Sequence, residues 1–373
     1  MKRILVLLLF LPVFIFAEPL YSPTWGFYID LPEGYDYIDG DGRDRFSFEG
    51  PEELMLDLVI YDGRYNSMVE LVDDVNRRLS NSGDVDFFDY YGKQAAILKL
   101  TFGGLDGWGL AVELEQTPSG TTPILLALAY TYAYKRELEL FHISALDSIA
   151  PSLIFCRYPG PIIEYSYPRG AQRSVLLSNG LNALIYENDA EASQVLIERE
   201  FAILTAYLNT DFLQDAWIRY YRFIYRDSFD RIRDAASVIA EHFGGYTAYT
   251  DAEKRAYAQR VLTYIQNFQY ERDFSGSDFI NLVTVVTEGR GDCDNKSMLF
   301  AIILANTNIR SALMISPQYG HAMALADLTG SGARFELYGT NWLVAETTDT
   351  VEIGLIAQDI NNPLHWFGVM FEQ

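Results

Sequence analysis

From Met298 to Ala305 the chain runs Met-Leu-Phe-Ala-Ile-Ile-Leu-Ala without one polar side chain. With the residues just before it, this run is long enough for three helical turns, and it reads as a helix buried on all sides. The residues before it read Glu288-Gly-Arg-Gly-Asp-Cys-Asp-Asn-Lys-Ser297. Gly289 and Gly291 supply the turn that ends one element, and Asp292 is a good N-cap for the next. Cys293 therefore falls in the first turn of a helix whose remainder is core. The free N–H groups and partial positive charge there are expected to lower a thiol pKa and to hold a developing oxyanion.

Two further pieces follow. His321-Ala-Met-Ala-Leu-Ala-Asp327 reads as a strand, and after Thr329-Gly-Ser-Gly332 come Arg334 to Tyr338 and Trp342-Leu-Val-Ala-Glu-Thr-Thr348. Three antiparallel strands with short turns can bring His321 and Glu346 to one end of a sheet, beside Cys293. A nucleophile, a base and an acid orienting the base are what nucleophilic acyl transfer needs. Gln266 and Gln269, just upstream, are both candidates for a side-chain oxyanion donor beside the Cys293 N–H. Asp349 or an amide is the alternative to Glu346 as partner of His321.

The order Gly-Asp-Cys-Asp-Asn-Lys-Ser, then His-Ala, then Trp-Leu-Val-Ala-Glu-Thr-Thr with Ile353-Gly354, resembles the bacterial transglutaminase-like superfamily. Tyr264 to Asp273 resembles the segment that precedes the Cys in those proteins. The resemblance covers about residues 250–355. It implies a papain-like fold with Cys293 as nucleophile, His321 as base and Glu346 as the acid. Many relatives carry Asp in the third role, so Glu346 must reach His321 with a longer side chain.

The N-terminus has the pattern of a secretory signal: Lys2-Arg3, an apolar run from Ile4 to Phe16, then Ala17. The expected location is periplasmic or secreted, with no stable membrane insertion. With 28 Lys and Arg against 51 Asp and Glu, the formal net charge is −23, which argues against nucleic acid and anionic lipid as partners. Cys156 and Cys293 are too few for a disulfide framework. No Cys/His spacing suits zinc, and neither metal nor cofactor is expected.

The expected class is α+β. Residues 18–155 read as a small α/β domain, similar at the level of fold to PsbP-like or Mog1-like domains. Its strands are Gly26–Leu31, Arg45–Phe48, Leu54–Tyr61, Phe87–Tyr91, Ala95–Phe102, Trp108–Glu115 and Ile124–Tyr134. Its two helices, one after Ser67 and one over Glu137–Ala150, are expected on one face of the sheet. Asp39-Gly-Asp-Gly-Arg-Asp44 has carboxylates at calcium-loop spacing, but Arg43 occupies a ligand position, so it reads as a turn. Gly103 to Gly109 precedes no helix and reads as a hairpin rather than a phosphate cradle.

Pro159, Gly160, Pro161, Pro168 and Gly170 mark a connector over 156–172. Residues 173–373 then hold a hairpin about Asn179-Gly180, helices near 191–208 and 211–243, a capping box at Thr250-Asp-Ala-Glu253, and the Cys293 region. The dense aromatics Tyr220, Tyr221, Phe223, Tyr225 and Phe229 read as helical core rather than a ligand shelf. The sequence thus points to an exported thiol acyl-transfer enzyme acting on a protein or peptide amide, by hydrolysis or cross-linking. The alternative is a non-catalytic binding or scaffolding protein of the cell envelope that keeps the fold.

Overall fold

The structure, a computed structural model, describes residues 19–272 and 277–371, so the signal-like segment 1–17 lies outside the described residues. Nine α-helices and two large antiparallel sheets organise the described residues, a mixed α+β architecture.

The first sheet has seven strands. Their spatial order is Asp36–Gly40, Arg45–Gly50, Leu54–Tyr61, Ile124–Tyr132, Leu105–Glu113, Lys93–Phe102 and Val85–Tyr90. Alternation along the strands gives it two apolar faces. Ala96, Leu98, Leu100, Ala111 and Leu126 pack on Met68, Leu71, Val72 and Val75 of the helix Met68–Leu79. Ile97, Leu110, Val112, Leu125 and Ala127 pack on the other side with Leu146 and Ile149, in and just beyond the helix Glu139–Asp147. The two helices therefore lie on opposite faces, not on one face as the sequence suggested. The physical reason is in the strands: Ala95 to Leu98 and Leu110 to Val112 are apolar at consecutive positions, which demands cover on both sides.

The turn after Asp39 is closed from within. Asp41 Oδ1 accepts the N–H groups of Arg43, Asp44 and Arg45 at 2.9, 2.7 and 2.9 Å. Gly103 and Gly104 form the tight link between Phe102 and Leu105, both at positive φ. The Pro- and Gly-rich stretch is ordered rather than slack. It carries a short helix, Pro161–Ser166, whose Ile162 and Ile163 N–H groups are capped by Asp147 Oδ1 at 2.8 and 3.0 Å.

The second sheet has five strands in the order Arg334–Leu337, Thr340–Ala345, His321–Ala326, Ser311–Ser316 and Phe367–Met370. Against it lies the helix Cys293–Ala305, in which Met298 to Leu304 are wholly buried. Helices Leu213–Arg231, Arg233–His242, Asp251–Gln266 and Leu282–Glu288 close its other sides. Tyr220, Tyr221, Phe223, Tyr225 and Phe229 are all buried in the helix Leu213–Arg231. Among the described residues no helix is long and apolar enough to cross a membrane.

Buried charge joins the two sheet-bearing parts. Arg219 reaches Glu200 at 2.7 Å and the Asp30 carbonyl at 2.9 Å, and Arg199 binds Asp147 at 2.6 Å and Glu200 at 2.7 Å. Arg226 donates to five backbone carbonyls, those of Asp147, Ser148, Ile149, Phe155 and Tyr158, at 2.7–3.2 Å. It thereby satisfies the C-terminal end of the helix Glu139–Asp147, whose last carbonyls have no partner within the helix. Removing such a hub leaves several carbonyls without donors, each costing about 1–3 kcal/mol where water cannot enter. Arg226→Met is therefore expected to lower stability by roughly 3 kcal/mol or more, seen as a fall in the urea unfolding midpoint. Arg78→Met, on an exposed pair with Asp74, is the matched control and should move the midpoint little.

Candidate active site

Cys293 is placed by two local devices. Helix Leu282–Glu288 ends at Gly289, whose φ of +67 is the left-handed cap that glycine adopts without strain. The next helix begins with a capping box: Asp292 Oδ1 accepts the Asn295 N–H and Asn295 Oδ1 accepts the Asp292 N–H, both at 3.2 Å. Gly291 has no room for a side chain, since a Cβ there would meet the Asn295 Cβ at 2.8 Å. As the first residue of this helix, Cys293 has an N–H with no acceptor within the helix.

The sheet supplies the other two groups. His321 opens the strand His321–Ala326, and Glu346 directly follows Thr340–Ala345, which pairs with that strand. His321 Nε2 and Glu346 Oε2 are 2.7 Å apart. Glu346 is fixed from both sides. Its Oε1 accepts from the Thr348 N–H at 2.8 Å and the Thr348 hydroxyl at 2.6 Å, while its backbone carbonyl accepts from Gln266 Nε2 at 2.8 Å. Burial opposes ionisation of this carboxyl, but the His321 and Thr348 hydrogen bonds outweigh it and hold the pKa below the usual carboxylate range. With Nε2 held by Glu346, Nδ1 is the ring nitrogen left for another partner.

The thiol itself departs from expectation. Its hydrogen bond runs to Asp294 Oδ1 at 3.1 Å, and none joins it to the His321 ring. Burial pushes the Cys293 thiol pKa up, the Asp294 and Asp292 charges push it further, and the Ala322 N–H works weakly the other way. The lowering expected from the helix start is thus overturned, because one dipole end competes with desolvation and two adjacent carboxylates.

Of the two glutamines, Gln266 has both amide protons engaged, on the carbonyls of Glu346 at 2.8 Å and Val351 at 3.0 Å. Its role here is to pin the Glu346 turn. Gln269 is exposed, and its backbone runs parallel to Arg290–Gly291, just before Cys293. Cys156 and Cys293 are both free, one half-buried and the other buried.

Three residues escaped the sequence reading. Tyr221 donates its hydroxyl to Asp294 Oδ2. Asp294 itself carries the sulfur's hydrogen bond. Lys296 is buried at 1% exposure, one turn along from Cys293, with Nζ on the Phe268 carbonyl at 2.8 Å. Burial lowers its pKa, while Glu346, Asp292 and Cys293 act to keep it charged. Lys296 stands just before the apolar run Met298–Ala305, among polar residues that give no local sign of its burial. Asp292, Cys293 and Asp294 offer ligand atoms within 4.8 Å of one another, but the carboxylates are committed to the cap, the thiol and Tyr221.

No family model matches this chain, and no curated protein does. Solved structures offer distant likenesses. One is the solution structure of cyanobacterial PsbP (CyanoP) from Synechocystis sp. PCC 6803, at 16% identity over 36% of this chain and 91% of that one, with TM-score 0.27. A second, from Bacteroides thetaiotaomicron VPI-5482, is 9% identical over 56% of this chain and 77% of that one, with TM-score 0.24. A third, from Parabacteroides distasonis ATCC 8503 and described as a candidate protease, is 11% identical over 86% and 70%, with TM-score 0.22. Scores and identities this low decide neither fold nor chemistry.

Two outcomes follow from the site's geometry. Glu346→Gln is nearly isosteric and should leave the unfolding midpoint close to that of the parent. It should slow alkylation of Cys293 by iodoacetamide at least about tenfold, because the imidazolium formed with the thiolate loses its counter-charge. An unchanged rate would remove Glu346 from the site's chemistry. The second outcome concerns pH. Burial, then the charge of Asp294, raises the Asp292 pKa, so the folded chain keeps a proton that the unfolded chain releases above the usual carboxylate range. Stability from this group is present at low pH and is lost as pH rises from the unfolded toward the folded value. Asp292→Asn preserves an N-cap, so it should raise the urea midpoint at about pH 8, with the gain shrinking as pH falls toward about 5.

Proposed function

We propose that this chain is an exported, thiol-dependent acyl-transfer enzyme with a transglutaminase-like, papain-type core following a PsbP- or Mog1-like domain. In this reading His321 Nδ1 takes the proton from Cys293 Sγ, and the sulfur attacks the carbonyl carbon of a protein or peptide amide. The oxyanion is held by the Cys293 N–H and by a side-chain donor, for which Gln269 is left as the candidate because the Gln266 amide is engaged on Glu346 and Val351. His321 returns the proton to the leaving amine, and a thioester remains on Cys293. Water or a second amine then releases the acyl group. Glu346 holds the ring through Nε2 and stabilises the imidazolium.

The observation that carries this reading is the 2.7 Å His321–Glu346 contact, held by Thr348 and Gln266 at the sheet end where the Ala322 N–H meets the Cys293 sulfur. A solvated acid or a strand-end histidine serving only the fold would not need that degree of fixation. Export rests on the pattern from Lys2 to Ala17.

The second reading, a non-catalytic envelope protein that retains the fold, draws on the raised thiol and its bond to Asp294. p-Nitrophenyl acetate separates the two. The mature chain should release one burst of nitrophenolate and gain one acetyl group on Cys293 by peptide mass mapping. Cys293→Ala should abolish both, and His321→Ala should slow the burst by about a hundredfold or more with an unchanged midpoint of unfolding. A folded protein that stays unacylated between about pH 6 and 9 would favour the non-catalytic reading.

A further inference from the structure

Asp294 is the group that the Cys-His-Glu reading leaves without a task, although among the described residues it is the side chain hydrogen-bonded to the sulfur. Its Oδ1 accepts from Cys293 Sγ at 3.1 Å, and its Oδ2 accepts from Tyr221, so both oxygens are aimed by neighbours. Burial raises the Asp294 pKa, and the hydrogen bonds from Tyr221 and Cys293 work the other way, favouring the carboxylate. Tyr221 is itself wedged by Trp217 and Tyr220, with ring centroids 5.7 and 5.3 Å away, so its hydroxyl has one direction to point. Around the carboxylate stand Asp292 from its own helix, Tyr221 from the aromatic helix, His321 from the sheet and Asp278 from the preceding segment. Among the described residues, Lys296 and Tyr270 also face Cys293 and Asp292, Arg272 faces Asp292, and Glu346 faces Lys296.

We propose that Asp294 is a restraining residue of the reacting centre: its carboxylate holds the Cys293 thiol protonated and turned from His321 until a cationic group of the substrate neutralises it. The inference rests on Cys293 being the nucleophile. A thiol facing a carboxylate donates its proton and gains no help in losing it, because the resulting pair would be two adjacent anions. When an ammonium or guanidinium pairs with Asp294, that repulsion ends. The S–H can then turn to His321 Nδ1, the proton passes to the ring, and the thiolate and imidazolium form together. No oxidant, metal or further reactant enters. The preferred substrates are therefore amides with a cationic group close to the scissile carbonyl, and neutral or anionic acyl donors react more slowly, because the thiol must then leave Asp294 unaided.

Small thiol reagents test this without a known substrate. Iodoacetamide is neutral, 2-aminoethyl methanethiosulfonate is cationic and 2-sulfonatoethyl methanethiosulfonate is anionic. In Asp294→Asn the iodoacetamide rate at Cys293 should rise about tenfold at neutral pH, and the midpoint of its pH profile should fall by about one unit. The ratio of cationic to anionic reagent rates should drop about tenfold. Asp294→Ala should act in the same direction if the Asn variant folds poorly, and the exposed, distant Asp36→Asn should change neither readout. Cys293 alkylation that is unchanged or slower in both Asp294 variants, with midpoints of unfolding retained, would overturn the proposal. Faster alkylation in an Asp294→Asn variant that p-nitrophenyl acetate still does not acylate would uphold the restraint and overturn acyl transfer.

Discussion

Burial of the helix Cys293–Ala305 on every side is the constraint from which the C-terminal half is built. A helix with Met298 to Leu304 wholly buried cannot sit on a surface, so a sheet must lie along one flank and helices along the others. Each buried Leu, Ile or Phe contributes about 1.5–3 kcal/mol relative to exposure, enough in sum to fix the helix against the strands. The polar groups that follow Cys293 into this core are tied as firmly. Ser297 meets Thr347 at 3.0 Å, and Lys296 meets the Phe268 carbonyl at 2.8 Å. The start of the helix is thereby held beside the strand end that bears His321 and the turn that bears Glu346.

Charge around that helix start pulls in two directions. The Glu346 carboxylate, kept ionised by His321 and Thr348, puts a negative charge against the His321 ring. Asp292 and Asp294 disfavour a thiolate, and burial reinforces them. The net result is a His321–Glu346 pair fixed at the strand end and a sulfur hydrogen-bonded to Asp294. In the proposed reading this arrangement restrains the nucleophile until a cation reaches Asp294.

The sequence carried much of this, and the part it did not carry has physical reasons. Cys293, His321 and Glu346 could be read because each sits at an element boundary marked by local signals: an N-cap, a strand start, a turn. The helix Met68–Leu79 could be read from its stripe and from Ser67, which accepts the Glu70 N–H as a cap does. Tyr221, by contrast, is one aromatic among five in a helix, and its contact with Asp294 spans 73 residues. Gln266 was weighed as an oxyanion donor because it lies near Cys293 in order, yet its amide turns to Glu346 and Val351. Side-chain direction across such distances has no local signature. The two covered faces of the first sheet are signalled in its strands rather than in its helices, by consecutive apolar residues such as Ala95 to Leu98 that need cover on both sides.

The central claim is that His321 and Glu346 act on Cys293 as one unit, and a double-mutant cycle on acylation tests it most directly. The rate of Cys293 acylation by p-nitrophenyl acetate would be measured at saturating pH in the parent, Glu346→Gln, His321→Ala and the double variant. If Glu346 works only through the His321 ring, its substitution slows the parent at least about tenfold and does nothing further once His321 is gone. If the two losses multiply, so that the double variant is slower than His321→Ala by the full Glu346→Gln factor, the groups act separately and the triad is contradicted.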